Sequence, residues 1–273
     1  MAPDISIVPD VLSVTEIRRR LSARTVGCQI CVYGEVPSTN AVLRDMARAG
    51  APEGTVVLAE GQSAGRGRGG KTWFSPFGVN LYASVLFRPA IPPKSVPVFS
   101  FIASLALVDT IVGIGLPAAI KWPNDVLVDR KKVAGALVDL ATSDERLEHV
   151  ILGIGVNLNV SRADLRAALG DAGRAAGSLR EALGREIDRN AFTAAFLTFL
   201  DRWLTTYREV GEGAVLRAWR DRDILTGRRV EVREGTSVFE GRAIGVDAWG
   251  HLQVENSRGE ILRVLAGEVR IVE

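Results

Sequence analysis

A chain of 273 residues has room for one large domain or two unequal ones. Its hydrophobic fraction of 47% and charged fraction of 24% exclude wholesale disorder. With 34 Lys+Arg against 32 Asp+Glu, a net charge of +2 is too balanced for a protein that coats nucleic acid or an anionic membrane non-specifically.

The opening run, MAPDISIVPD, carries two acids and no basic region, so it does not read as a secretory signal. Ser13 and Glu16 form a capping box for a short helix. Cys28 and Cys31 make a lone CxxC within CQICVY, which reads as a strand spanning part of 27–36. Alternation puts the two thiols on opposite faces, where they can share neither a metal nor a disulfide. The preference of free cysteine for interiors predicts core packing, and two free thiols point to the cytoplasm. Ser38-Thr39-Asn40 opens a helix with Val42, Leu43, Met46 and Ala47 on one face, closed by Gly50. A strand at 55–60, a glycine-rich loop at 61–70 and a strand at 79–87 follow. The apolar stretch 95–120 contains Asp109, Pro97 and Pro117, which predicts a buried core helix over 97–112 instead of a membrane span.

Next come two strands, 118–128 and 132–140, joined as a hairpin through Asp129-Arg130-Lys131, and a third at 147–158. The Ala/Gly/Arg-rich segment 161–177 reads as a flexible loop. Helices are expected at 178–183 and 189–209, the second with a core stripe of Phe192, Phe196, Phe199, Trp203 and Tyr207. Five short strands, 228–233, 237–246, 251–255, 260–265 and 268–272, predict a small separate barrel. The class is α+β, with a mixed β-sheet and helices in 1–223 and the barrel in 224–273.

The most informative segment is Gly65-Arg66-Gly67-Arg68-Gly69-Gly70. Its GxGxxG pattern would need a following helix and an acid about 20 residues on for a dinucleotide. There is no Asp or Glu between Glu60 and Asp109. Residues 65–72 also match GxxxxGK[ST], ending in Lys71-Thr72, but Pro76 and Gly78 deny the helix a P-loop requires. Both patterns agree on an anion-binding loop, in which glycines let N–H groups approach and guanidinium groups supply charge; a solvated flexible loop is the plainer alternative. Lys121-Trp122-Pro123-Asn124-Asp125, followed by Lys132 and Gly135, is a second feature, although Pro-Asn-Asp alone is a turn former. The third, Gly153-Ile-Gly-Val-Asn157-Leu-Asn159, has glycines that admit a ligand. Ser38-Thr39 alone is as easily a helix cap.

Taken together and in this order, STN, QSAGRGRGG, WFSPFGVNLY, KWPNDV, KKVAG and GIGVNLN resemble the biotin protein ligase family over roughly residues 36–160. The terminal strands resemble its SH3-like domain. The resemblance implies a class II synthetase-like catalytic sheet and a two-step reaction. Biotin and ATP, with Mg²⁺, give biotinyl-5′-AMP and pyrophosphate; biotin then passes to a lysine of a biotin carboxyl carrier domain of a carboxylase. It implies a biotin pocket of Ser38, Thr39, Asn40, Gln62, Gly65, Arg66, Gly67, Arg68, Trp73, Lys132 and Gly135. Arg66, Arg68, Trp73, Asn124, Lys132, Asn157 and Arg270 would meet ATP, and Asn157 also the metal that travels with it. Arg66, Arg68 and Lys132 would neutralise the charge that develops as a carboxylate attacks a phosphate. Asp125 is either the base for the acceptor lysine or an orienting group. Lys71 stands where relatives often have arginine.

The 37 residues before Ser38 resemble the shorter class without a helix-turn-helix, so no DNA partner, no membrane partner and a cytoplasmic monomer or homodimer are expected. Lipoate protein ligase is the nearest alternative, disfavoured by KWPND followed by KxAG. A non-catalytic RNA- or anion-binding module is a further one, disfavoured by the balanced charge and by a loop with only Trp73 and Phe74 for stacking.

Overall fold

The computed structural model describes residues 11–144 and 146–272, so the opening run read as lacking a secretory signal, residues 1–10, lies outside the described residues. Two strands, β2 (Thr55–Gln62) and β3 (Leu81–Phe87), carry the runs VVLA and LYASVLF and are buried along nearly their whole length without alternation. Such strands need cover on both faces. They sit inside a seven-stranded sheet ordered β1-β2-β3-β7-β6-β5-β4, with β1 at Gln29–Val36, β4 at Ala119–Lys121, β5 at Asp125–Val128, β6 at Lys131–Ser143 and β7 at Arg146–Val156. Only β1 and β2 pair in parallel; the remaining neighbours are antiparallel. The mixed sheet is as expected.

Side-chain alternation assigns the two faces. Val57, Leu86 and Ile151 meet Leu43 and Ala47 of α2 (Thr39–Arg48) in a small cluster. Their strand neighbours Val56, Leu58, Phe87, Val150 and Leu152 point the other way into the main core. That core is built on α3 (Val98–Gly113) and α6 (Arg189–Val210), with α1 (Val14–Arg20) against α6. Twelve of the sixteen residues of α3 are buried. Its one charge is neutralised: Asp109 accepts from Trp203 Nε1 at 2.7 Å and pairs with Arg222 at 3.0 Å. The apolar stretch is therefore a core helix of this fold, and the aromatic stripe of α6 packs beside it, with Phe192 and Phe196 buried.

Four local expectations are corrected. Cys28 is exposed just before β1, and Cys31 is half-buried on β1, the edge strand of the sheet; neither is a core residue, and both are free thiols. The single strand over 118–128 is two, β4 and β5, folded back on each other around Trp122-Pro123-Asn124 so that Lys121 lies opposite Asp125. Proline has no N–H for the ladder, and Pro-Asn-Asp turns the chain. The β5–β6 connection is the pair Asp129-Arg130, both at positive φ, and Lys131 already belongs to β6. Residues 161–177 are not simply a loop: Ser161 accepts from Asp164 N at 3.1 Å and caps α4 (Arg162–Leu169), which buries Leu165.

The expected helix at 178–183 is α5 (Leu179–Leu183). An unexpected helix, α7 (Glu212–Arg220), buries Val215, Leu216 and Trp219, a helical spacing that was legible in the sequence.

The last five strands fall within one or two residues of their expected places: β8 (Arg229–Glu234), β9 (Ser237–Val246), β10 (Leu252–Glu255), β11 (Ile261–Val264) and β12 (Glu268–Ile271). They form an antiparallel SH3-like sheet ordered β11-β10-β9-β8-β12. Its apolar residues Val230, Val232, Leu252 and Val254 join the same cluster as the main core. The two sheets are also stitched by a polar bond. Trp122 Nε1 donates to Gly250 O, between β9 and β10, at 2.9 Å, and Ile120 N donates at 2.8 Å to Arg222 O in the connector that leads from α7 to β8.

Candidate active site

A cavity of about 670 Å³ opens where the start of α2, the glycine-rich loop, the β4–β5 turn, the middle of β6 and β7, and β12 meet. Ser38 precedes α2 but makes no capping bond, whereas Ser13, Ser161 and Asp188 each cap their helices through the side chain. The Ser38 hydroxyl is thus left for the cavity, which it lines with Thr39 and Asn40. Gln62, at the end of β2, accepts from Thr39 N at 2.9 Å and donates to Ser75 Oγ at 3.0 Å. This floor of hydroxyls and amides suits an uncharged polar ring, which must find hydrogen bonds when buried.

Above it the chemistry changes to charge. Lys132 Nζ lies 2.6 Å from Asp125 Oδ1 and 5.3 Å from the centre of the Trp73 ring. Arg68 is half-buried, 3.5 Å from Asn124 Oδ1, and burial lowers its pKa while Asp125 opposes the shift. Arg66 is exposed at the rim. Asn124 is buried and held by a bond from its Nδ2 to Ala136 O. Arg270 enters from β12.

The glycine loop is closed on itself by Gly67 N to Lys71 O at 2.7 Å and Trp73 N to Gly65 O at 3.0 Å. No helix follows it, and Lys71 forms an ion pair with Glu268, holding that carboxyl below the usual carboxylate range. Both nucleotide-loop patterns are thereby set aside on geometry.

Two sequence-predicted residues do not line the cavity. Gly65 lies behind it, where a Cβ would come within 2.5 Å of Ser75 Oγ and 2.6 Å of Trp73 O. Asn157 spends its Nδ2 on Gly177 O at 3.0 Å, tying the end of β7 to the segment before α5. The remaining predicted residues converge.

Sequence reading left out Lys121, Arg233 and Glu268, which also line the cavity. Lys121 belongs to the quoted KWPND run, so its signal was present; Arg233 and Glu268 had none, since only folding brings β8 and β12 here. Gly153 and Gly155 turn out to serve side chains. A Cβ on Gly153 would sit 2.3 Å from Asn40 Oδ1, and one on Gly155 would sit 2.4 Å from the Trp73 ring.

Residues 33–157 match the model of the biotin/lipoate A/B protein ligase family, and residues 225–271 match the biotin protein ligase C-terminal domain. The bifunctional ligase/repressor BirA of Bacillus subtilis is 32% identical over 264 residues, covering 96% of this chain and 80% of that protein. The chain belongs to the biotin protein ligase family. A biotin–[acetyl-CoA-carboxylase] ligase of Paracoccus denitrificans is 33% identical over 206 residues, covering 74% of this chain and 85% of its own. Among solved structures, biotin protein ligase from Aquifex aeolicus in complex with biotin and ATP aligns with a TM-score of 0.74 at 25% identity, over 89% of this chain and 99% of that one. The first family model spans both biotin and lipoate ligases; the C-terminal match sides with the biotin protein ligases.

Proposed function

We infer that this biotin protein ligase activates biotin with ATP to biotinyl-5′-AMP, releasing pyrophosphate, and transfers the biotinyl group to a lysine of a carboxylase's biotin carboxyl carrier domain. The observation that carries the reading is one cavity whose floor is Ser38, Thr39, Asn40 and Gln62 and whose other side is Lys132, Arg68, Lys121 and Arg270. The first set suits the ureido ring, and the second suits a carboxylate meeting a triphosphate. Lys132 brings the biotin carboxylate to the α-phosphate, and Arg66 and Arg68 cover the phosphate from the loop. The 2.6 Å ion pair favours Asp125 as the group that orients Lys132 over a base for the acceptor amine.

Among the described residues no group of three or more His, Cys, Asp or Glu side chains could hold a metal. The cavity carboxylates Asp125 and Glu268 are each paired with a lysine. Mg²⁺ would arrive bound to the triphosphate, beside Lys132, Lys121 and Arg68. Consumption of ATP and the free thiols of Cys28 and Cys31 fit a cytoplasmic enzyme. The repressor activity in the name of the Bacillus relative is said of that protein alone.

The deciding experiment incubates a carrier domain with the protein, ATP and either biotin or lipoate, and weighs the product. A biotin-sized mass increase with pyrophosphate release is expected. An increase with lipoate alone, or none with either acid, would overturn the reading.

A further inference from the structure

Behind the cavity floor lies a polar chain in which several groups touch no cavity surface. Asp139, on β6, receives Asn40 Nδ2 at 3.1 Å and Arg44 Nη2 at 2.8 Å on the same oxygen. Ser84, on β3 and fully buried, lies 2.6 Å from Asn40 Oδ1 and 2.7 Å from Thr39 Oγ1. Neither Asp139 nor Ser84 lines the cavity.

The direction of every proton in this chain follows from its far end. A carboxylate beside a guanidinium only accepts, so Asn40 turns its Nδ2 to Asp139 and its Oδ1 to Ser84. An amide oxygen also only accepts, so the single Ser84 proton goes to Asn40. The Ser84 oxygen is then open to the Thr39 hydroxyl, whose alternative acceptor, Gln62 Oε1, is farther at 3.3 Å and already takes Thr39 N–H. With its proton directed inward, the Thr39 oxygen presents lone pairs to the cavity. Gln62 is fixed in the opposite sense, its Nε2 being a donor beside Ser75.

We propose that Asp139, acting through Asn40, Ser84 and Thr39, is a positioning residue that sets the hydrogen-bond polarity of the cavity floor, so that it accepts from N–H groups and selects a cyclic urea. The proposal rests on the reading of this cavity as the biotin site. Removing the Asp139 acceptor frees Asn40 to flip, and the Thr39 proton is no longer held away from the ligand.

The test measures pyrophosphate release with biotin and with biotin methylated on its ureido nitrogens, for the full chain and its variants. Asp139→Leu is expected to raise the biotin KM about 10- to 100-fold, leave the ATP KM within about twofold, and erase most of the preference for biotin over the methylated analogue. Asp139→Asn, which can still accept at the oxygen facing Arg44, should restore the biotin KM to within about threefold. Ser84→Ala should raise the biotin KM about tenfold on its own, but add less than about twofold to Asp139→Leu, since both break one chain. An unchanged biotin KM in Asp139→Leu, equal losses for biotin and the analogue, or additive effects of the two substitutions would overturn the proposal. If Asp139→Leu does not fold, an unchanged biotin KM in Ser84→Ala alone overturns it. A parent protein that releases no pyrophosphate with biotin would defeat the functional reading instead.

Discussion

Lys132 is held from two sides, by Asp125 at 2.6 Å and by the Trp73 ring at 5.3 Å. Both members of the ion pair keep part of their surface in water, so the pair contributes little to stability. Lys132→Ala should therefore melt within about 2–4 °C of the parent and lose about 100- to 1,000-fold in adenylate formation. Near-normal pyrophosphate release by a cleanly folded variant would remove Lys132 from the mechanism. Lys121 makes a pH prediction. Burial lowers its pKa from the usual lysine range; Asp125 opposes this, and Lys132 and Arg270 add to it. With the folded pKa below the unfolded one, protonated Lys121 costs stability at neutral pH, and that cost fades as pH rises from the folded value towards about 10.4. The chemistry runs the other way, because a phosphate needs the cation. The alkaline limb of adenylate formation should lie lower than for an ordinary lysine, and Lys121→Arg should move it upward. Superimposable limbs would show that Lys121 charge is not used.

At the scale of elements, the glycine loop and β7 make one lid and its seat. Biotinyl-AMP is a mixed anhydride that any neutral amine attacks once it escapes, so the loop must retain it. Arg68→Gly removes one guanidinium–phosphate hydrogen bond and should speed release of the intermediate by roughly 10- to 150-fold. Lys132 and Arg66 remain to support its synthesis. The expected outcome is biotin on lysines of an unrelated protein such as albumin, which the parent leaves unlabelled. Adenylate made without bystander labelling would count against retention as the role of Arg68. The seat makes its own prediction. A Cβ at Gly155 lies 2.4 Å from Trp73, too close for an indole packed on backbone to tolerate, while one at Gly34 on β1 meets nothing within 4 Å. Gly155→Ala should weaken biotin and ATP binding at least about tenfold by displacing Trp73, and Gly34→Ala should leave both unchanged. Equal affinities in calorimetric titrations of the two would mean that Trp73 is not held by its seat.

Over the whole molecule, the two sheets share one apolar cluster and the bond from Trp122 Nε1 to Gly250 O. The smaller sheet also supplies Arg233, Glu268 and Arg270 to the cavity. Units joined through a common core lose their independence, so calorimetry should give one unfolding transition. Two separated transitions, with the lower one traced to residues 224–273, would show that the terminal unit folds alone.

Much of this was legible beforehand because it is local. The seven-residue stretch LYASVLF, the cap at Ser13, the apolar α3 and the five turn-bounded terminal strands declare themselves through period, capping and turn chemistry that neighbours in sequence impose. The order STN, GRGRGG, KWPND, KKVAG likewise marks the site, since each run is a contiguous piece of it. Tertiary structure alone decided what depends on residues far apart in the chain. It left Cys28 and Cys31 out of the core, and it brought Glu268 to Lys71 across 197 positions. It also took Asn157 away from the cavity and explained Gly153 and Gly155 by the side chains laid over them. The proton order behind Thr39 belongs to the same class. Asn40 was legible as a pocket residue, but Asp139 and Ser84 carried no signal, and only a fold that places the three within hydrogen-bond reach lets a carboxylate at one end fix what a hydroxyl offers at the other.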